Sequence, residues 1–282
     1  MILNLDNNFK PIAGEEIKFE SFTFAGGEPH IKIIQAASPL EKAGDEVVTI
    51  THRLNSFNDL GLLCCAVDAL QRMDAKLGTL FIPYFPAARQ DRVMIKGEPL
   101  TVKIYADIIN NLGFKKVFVL DAHSEVTPAL LNNCEVITNH KFIKQVIEKI
   151  GTTIKLISPD GGALKKIYKV SEFLGGVDVV ECSKSRDVKT GKLKEFKVYD
   201  DNLGGTDCLV VDDICDGGGT FLGLAEELKK KNAAKLYLAV THGIFSKGFA
   251  DLENCFEQIF TTNSVKELSS DRLTQINVKD IL

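Results

Sequence analysis

Short runs of β-branched and aliphatic residues alternate along the chain with longer stretches whose apolar positions recur every three or four residues. The first runs lie at 31–34, 47–51, 80–82 and 117–120, and the first helix-like stretches at 56–72 and 100–112. Ser56 and Asp59 stand where a hydroxyl and a carboxylate cap a helix at its positive end. The pattern then starts again, with strands expected at 136–138, 154–157, 177–180, 208–211 and 236–240, and helices at 141–150, near 163–170 and just after the glycines at 217–219. Strand–helix alternation of this kind predicts parallel sheets flanked by helices. The expectation is two α/β domains, residues 1–138 and 139–282, joined near 134–140.

The stretch Leu209-Val210-Val211-Asp212-Asp213-Ile214-Cys215-Asp216-Gly217-Gly218-Gly219-Thr220 carries the clearest chemistry. An aliphatic strand runs into a glycine turn, and Phe221, Leu224, Ala225 and Leu228 mark the buried face of the helix that follows. Glycines at such a turn let an anion approach the unpaired N–H groups at the helix's positive end, which makes a phosphate cradle. The carboxylates of Asp212 and Asp213 are unsuited to touching phosphate, but they suit sugar hydroxyls or a divalent cation. Together these features point to a sugar phosphate.

Ligands of open parallel sheets bind beyond the strands' C-terminal ends, so three further stretches matter. They are Pro83-Tyr84-Phe85-Pro86-Ala87-Ala88-Arg89-Gln90-Asp91-Arg92, Asp121-Ala122-His123-Ser124, and Ser158-Pro159-Asp160-Gly161-Gly162. The least periodic segment, 182–205, carries Lys184, Arg186, Lys189, Lys192, Lys194 and Lys197 and reads as a mobile basic hairpin or flap.

Composition narrows the class. A hydrophobic share of 45% supports a sizeable core, and a net charge of −4 lacks the basic excess of a nucleic-acid binder. The seven cysteines show no zinc-ligand spacing, so reduced thiols in a cytoplasmic protein are expected. No secretory leader or membrane-spanning run is evident in the sequence.

The acid pair, third acid, glycines and Thr220 resemble the phosphoribosyl-pyrophosphate (PRPP) loop of phosphoribosyltransferases and PRPP synthetases. Arg89-Gln90-Asp91-Arg92 resembles the synthetases' ATP-contacting motif, Asp121-Ala122-His123-Ser124 their metal-ligand histidine region, and the stretch around Asp160 the carboxylate that completes that site. Phe22-Thr23-Phe24-Ala25-Gly26-Gly27-Glu28 is similar to their nucleotide loop, Lys184-Ser185-Arg186 to the basic pair of their catalytic flap, and Thr241-His242-Gly243-Ile244-Phe245-Ser246 to a further signature. The matches are collinear, and the chain is identified as a member of the ribose-phosphate pyrophosphokinase family.

That resemblance implies two phosphoribosyltransferase-like (Rossmann-like) domains, each a mostly parallel sheet flanked by helices. It implies a transferase of nucleotide biosynthesis that moves the β,γ-diphosphoryl group of ATP to the anomeric hydroxyl of ribose 5-phosphate, giving PRPP and AMP. Phe24, Glu28, Arg89, Gln90, Asp91 and His123 would bind ATP. Asp212, Asp213, Asp216, Gly217, Gly218, Gly219 and Thr220 would bind ribose 5-phosphate. His123 and Asp160 would hold Mg²⁺, and Lys184 and Arg186 would be catalytic. A homo-oligomer, at least a dimer, is expected because the nucleotide loop serves a neighbour's ATP site. Neither nucleic acid nor membrane is an expected partner. Gly217 stands where the family usually has Thr, Gly26 where it has Asn or Asp, and the sequence ends at Leu282 where relatives continue, so a hexamer is less expected than a dimer. Two alternatives remain open: a phosphoribosyltransferase, which shares only the PRPP loop, and a non-catalytic regulatory homologue, which would be expected to lose metal or flap residues.

Overall fold

The structure, a computed structural model, describes residues 1–34, 47–186 and 193–282, and for residues 185, 186 and 193–195 the backbone alone. It divides into two compact units, Met1–Thr138 with Leu282, and Asn139–Ile281. Among the described residues no helix is long and apolar enough to cross a membrane, and all seven cysteines are free. Burial pushes the thiol of Cys182 up to about 12 and that of Cys208 up to about 11, so neither is a reactive thiolate at neutral pH.

In the first unit the elements follow as β1 (Ile2–Asn4), β2 (Lys18–Thr23), β3 (Pro29–Ile34), β4 (Val47–Thr51), α1 (Phe57–Gln71), β5 (Lys76–Ile82), α2 (Thr101–Asn111), β6 (Lys116–Leu120), α3 (Val126–Leu130) and β7 (Cys134–Ile137). Five strands form one sheet in the order β1-β4-β5-β6-β7, and every pairing is parallel. Val48, Ile50, Leu80, Ile82, Val117 and Val119 share a buried cluster with Leu63, Val67 and Leu70 of α1 and Val102, Ala106 and Ile109 of α2. α1 starts where Ser56 and Asp59 predict, because the Ser56 hydroxyl accepts the Asp59 N–H at 3.2 Å and donates to the Asp59 carboxylate at 2.9 Å.

Two sequence expectations change here. The run at 31–34 is not a strand of the parallel sheet; it pairs antiparallel with β2 in a separate hairpin. Its Pro29 lies against Gly61 of α1, where an added Cβ would be 3.0 Å from the proline Cγ. The run at 136–138 does not open the second set. β7 pairs with β6 and closes the first sheet.

The second unit contains α4 (His140–Ile150), β8 (Ile154–Ser158), α5 (Leu164–Phe173), β9 (Val179–Arg186), β10 (Leu193–Val198), β11 (Asp207–Cys215), α6 (Gly219–Lys230), β12 (Leu236–Gly243), α7 (Ala250–Cys255), β13 (Gln258–Thr262) and β14 (Leu273–Ile276). Its seven-stranded sheet has the order β10-β9-β8-β11-β12-β13-β14 and is parallel except where β10 runs antiparallel to β9. The chain leaves β8 toward β9 on one side and returns to β11 on the other. That reversal is a topological switch point, which opens a crevice at the strands' C-terminal ends.

The basic segment supplies the β9–β10 hairpin, while Lys189 and Lys192 lie outside the described residues. α6 buries Phe221, Leu224, Ala225 and Leu228, and each large side chain contributes about 1.5–3 kcal/mol by leaving water. Gly223 meets Phe196 of β10: a Cβ added there would lie 2.4 Å from the ring's Cε2. Gly223→Ala should therefore lower unfolding stability by about 1–3 kcal/mol through overpacking, although alanine gains roughly 1 kcal/mol in helix propensity. Urea denaturation checks this, and a variant more stable than the parent would show that the helix–hairpin contact relaxes freely.

Candidate functional site

The switch-point edge of the second sheet collects most of the predicted residues of that unit. β11 runs through Asp212 and Asp213 to Cys215, so the acid pair lies within the strand, not after it. The helix begins one residue earlier than the glycine run predicts. Gly218 is its N-cap, with φ 77°, and Gly219 is already helical. The left-handed conformation at Gly218 favours a residue without Cβ, and Leu252 packs where one would stand, at 3.3 Å. No side chain caps α6; the Phe221 amide donates to the Gly218 carbonyl at 2.9 Å, which leaves the amides of Gly219 and Thr220 to a ligand or to solvent.

The signature after β12 braces this turn. The amides of Ile244 and Phe245 donate to the Cys215 carbonyl at 2.9 and 3.1 Å, and the Ser246 amide donates to the Asp216 carbonyl at 3.1 Å. The Ser246 hydroxyl donates to the Asp216 carboxylate at 2.6 Å. Asp216, expected at the ribose phosphate, thus also ties two loops together.

Asp213 is buried, at 7% exposure, and its carboxylate lies 3.7 Å from the ammonium of Lys166 on α5. Sequence reading did not single out Lys166. One turn of an amphipathic helix places it over the sheet edge, which only the packing reveals. The amide of Asp213 donates to the Asp212 carboxylate at 2.9 Å. Burial, reinforced by the charge of Asp213 and a hydrogen bond between the two side chains, pushes the Asp212 carboxyl well above the usual carboxylate range.

Asp160, after β8, behaves oppositely. Burial works against its charge, but a hydrogen bond and ion pair with Lys184, aided by the amides of Ala163 and Gly162, hold the carboxyl below the ordinary value. Those amides donate to Oδ1 at 2.8 Å (Gly162) and 3.1 Å (Ala163), and Lys184 faces Oδ2. Lys184 sits on β9 beside β8. Arg186 ends β9, and its side chain lies outside the described residues.

In the first unit, parallel pairing of β5 with β6 sets their C-terminal loops side by side. Asp91 is buried at 8% exposure and accepts from Arg92 Nε at 2.9 Å. Its carboxyl is held below the usual range by Arg92, with help from the Ser124 hydroxyl and the charge of His123, so the two loops share one acid. Arg89 and Gln90 are exposed beside it. Ala87 and Asp121 adopt φ of 55° and 42°, strained conformations for residues with side chains. Phe24 and Glu28 lie at the tip of the β2–β3 hairpin, where the Phe24 amide donates to the Glu28 carbonyl at 2.9 Å. Phe22, Phe24 and His30 cluster edge to face there, with Phe22–Phe24 centroids 4.8 Å apart and both phenylalanines about half exposed. The Glu28 carboxylate fills the space over Gly26, 2.5 Å from where a Cβ would be.

Among the described residues no group of three or more His, Cys, Asp or Glu could hold a metal ion. Mg²⁺ keeps waters and substrate oxygens and needs one or two protein ligands, so Asp160 and His123, each within its own unit, are of a type that suits it. Asp160 can offer Oδ2 once Lys184 moves off it, and His123 a ring nitrogen.

Residues 14–113 match the model of the N-terminal domain of ribose phosphate pyrophosphokinase, and residues 182–282 that of the phosphoribosyl synthetase-associated domain. A ribose-phosphate pyrophosphokinase of Mycoplasmopsis pulmonis is 31% identical over 78% of this chain and 68% of its own length. That of Mycoplasma pneumoniae is 29% identical over 92% and 79%, and that of Vibrio parahaemolyticus 29% identical over 92% and 83%. The crystal structure of phosphoribosylpyrophosphate synthetase from Mycobacterium smegmatis superposes with a TM-score of 0.81 over 99% of this chain and 94% of that one, at 23% identity, and shares its fold. The chain belongs to the ribose-phosphate pyrophosphokinase family.

Proposed function

We propose that this chain makes PRPP and AMP from ATP and ribose 5-phosphate, and that the second unit's switch-point edge holds the ribose 5-phosphate. The observation that carries the reading is the acid pair Asp212–Asp213 beside the uncapped start of α6, in a chain that belongs to this family. Asp212 and Asp213 accept the ribose hydroxyls, and the 216–220 turn receives the 5-phosphate on Gly217, Gly218, Gly219 and Thr220. Arg89 and Gln90 engage ATP, Asp91 orders Arg92 and the neighbouring loop, and Phe24 and Glu28 reach the ATP of an adjacent subunit.

His123 and Asp160 are each suited to Mg²⁺, which when bound neutralises charge on the phosphates of ATP. The anomeric oxygen attacks the β-phosphorus as the bond to the α-phosphate oxygen breaks, and AMP leaves. Catalysis of such a transfer rests on alignment and on charge stabilisation. Lys184, now on Asp160, exchanges that carboxylate for a transferring phosphoryl oxygen. Arg186 adds a second cation. Ribose 5-phosphate and ATP chemistry, together with the free thiols, supports a cytoplasmic location.

With Mg²⁺, ATP and ribose 5-phosphate, phosphorus NMR should show PRPP and AMP; ADP as the product would exclude diphosphoryl transfer. In the same assay Lys184→Ala and Arg186→Ala should each lower kcat by about 10²-fold with less effect on ATP affinity, as expected for contacts made in the transition state.

The charge of the acid pair makes a second test. A carboxyl raised by folding favours the folded state at low pH, and that contribution is lost as pH rises from the ordinary aspartate value, about 3.9, through the folded one. Asp212→Asn cannot ionise, so without ligand its melting temperature relative to the parent should climb as pH increases from about 4 toward neutrality. Parallel curves would mean that Asp212 titrates normally.

A nucleotide loop that serves a neighbour requires at least a dimer, and a two-fold interface is the smallest closed solution. Sedimentation at assay concentration should show a dimer or larger; a fully active monomer would refute the shared site.

A further inference from the structure

Gly217 leaves the phosphate turn without the hydroxyl that a threonine would supply, and the space is not empty. The stem of Lys247 runs along it, with Cε, Cδ and Cγ at 3.4, 3.5 and 3.8 Å from the position of a Cβ on Gly217. The turn that carries Lys247 is pinned to the same loop. Ser246 is bonded to Asp216 through both its amide and its hydroxyl, at 3.1 and 2.6 Å, and the Gly248 amide closes on the Phe245 carbonyl at 3.0 Å. The ammonium is one bond beyond the methylene nearest to Gly217. Lys247 is exposed, and among the described residues its ammonium has no carboxylate partner.

Charge gives this placement a purpose. A sugar phosphate carries a charge of roughly −1.5 to −2, whereas a helix N-terminus offers roughly half a positive charge. Asp212, Asp213 and Asp216 stand on the same loop and strand, so a dianion entering there meets repulsion unless a full cation is close. We propose that Lys247 is a phosphate-binding residue of this site, its ammonium held against the 5-phosphate of ribose 5-phosphate by packing of its stem on Gly217. The inference rests on the ribose 5-phosphate reading of the 216–220 turn and adds a residue to it.

The two side chains exclude each other. A methyl group at 217 would make ordinary contacts with Lys247, but the γ atoms of threonine would reach about 1.5 Å further, into the lysine stem. The loop therefore carries either a hydroxyl at 217 or a cation from 247.

Calorimetry with ribose 5-phosphate, ribose and ATP separately tests this. Lys247→Met keeps the stem and removes the charge, and it should weaken ribose 5-phosphate binding about tenfold or more while leaving ATP binding unchanged. Lys247→Arg should retain most of the affinity and the salt dependence that Lys247→Met loses. The double variant Gly217→Thr/Lys247→Ala should bind ribose 5-phosphate better than Lys247→Ala alone, because the hydroxyl then has room. Ribose 5-phosphate affinity in Lys247→Met within twofold of the parent, with ribose still bound more weakly than its phosphate, would overturn the role of Lys247 alone. A parent protein that does not distinguish ribose 5-phosphate from ribose would overturn the underlying reading of the turn and the inference with it.

Discussion

The junction between β11 and α6 has to satisfy two opposed demands. It follows the central strand of a parallel sheet, where unpaired backbone groups are costly once buried, yet it must leave N–H groups for an anion. The protein meets both by fixing everything around the turn. Hydrogen bonds from residues 244–246 hold Cys215 and Asp216, Leu252 fills the space beside Gly218, and α6 is anchored by Phe221, Leu224 and Leu228. With the carbonyls tied down, the amides of Gly219 and Thr220 stay open without the loop being loose.

Around that junction the charges are set by contact. Asp160 stays ionised because Lys184 and two amides favour its charged form, whereas desolvation of its carboxyl and the neighbouring Asp213 make Asp212 resist ionisation. Lys166 places a positive charge 3.7 Å from the Asp213 carboxylate. Two carboxylates, one just after β8 and one on the neighbouring β11, thereby receive different protonation tendencies from their surroundings.

Much of the architecture was legible where local chemistry and burial agree. Ser56 and Asp59 mark the start of α1, and the spacing of Phe221, Leu224, Ala225 and Leu228 marks α6. The length of β11 was hidden because Asp212 and Asp213 interrupt an apolar run that the backbone simply continues. The β2 strand was hidden because it is largely exposed and has no buried alternation to read. β13 and β14 were missed because threonine and glutamine occupy positions that are buried or half-buried in the sheet. At the candidate site, motifs adjacent in sequence could be read directly. The pairing of Lys166 with Asp213, of Ser124 with Asp91 and of Lys247 with Gly217 depends on chain segments far apart, and no local pattern encodes them.

The packing of Lys247 on Gly217 also constrains how such a sequence can change over time. If position 217 gained a threonine while Lys247 remained, the new side chain would be forced into the lysine stem; if Lys247 were lost first, the turn would have neither hydroxyl nor cation. Each single step passes through a weaker intermediate, so the two positions should drift as a pair. A lineage that has settled on glycine and lysine is held there by the shape of one turn, even though either arrangement would serve a phosphate.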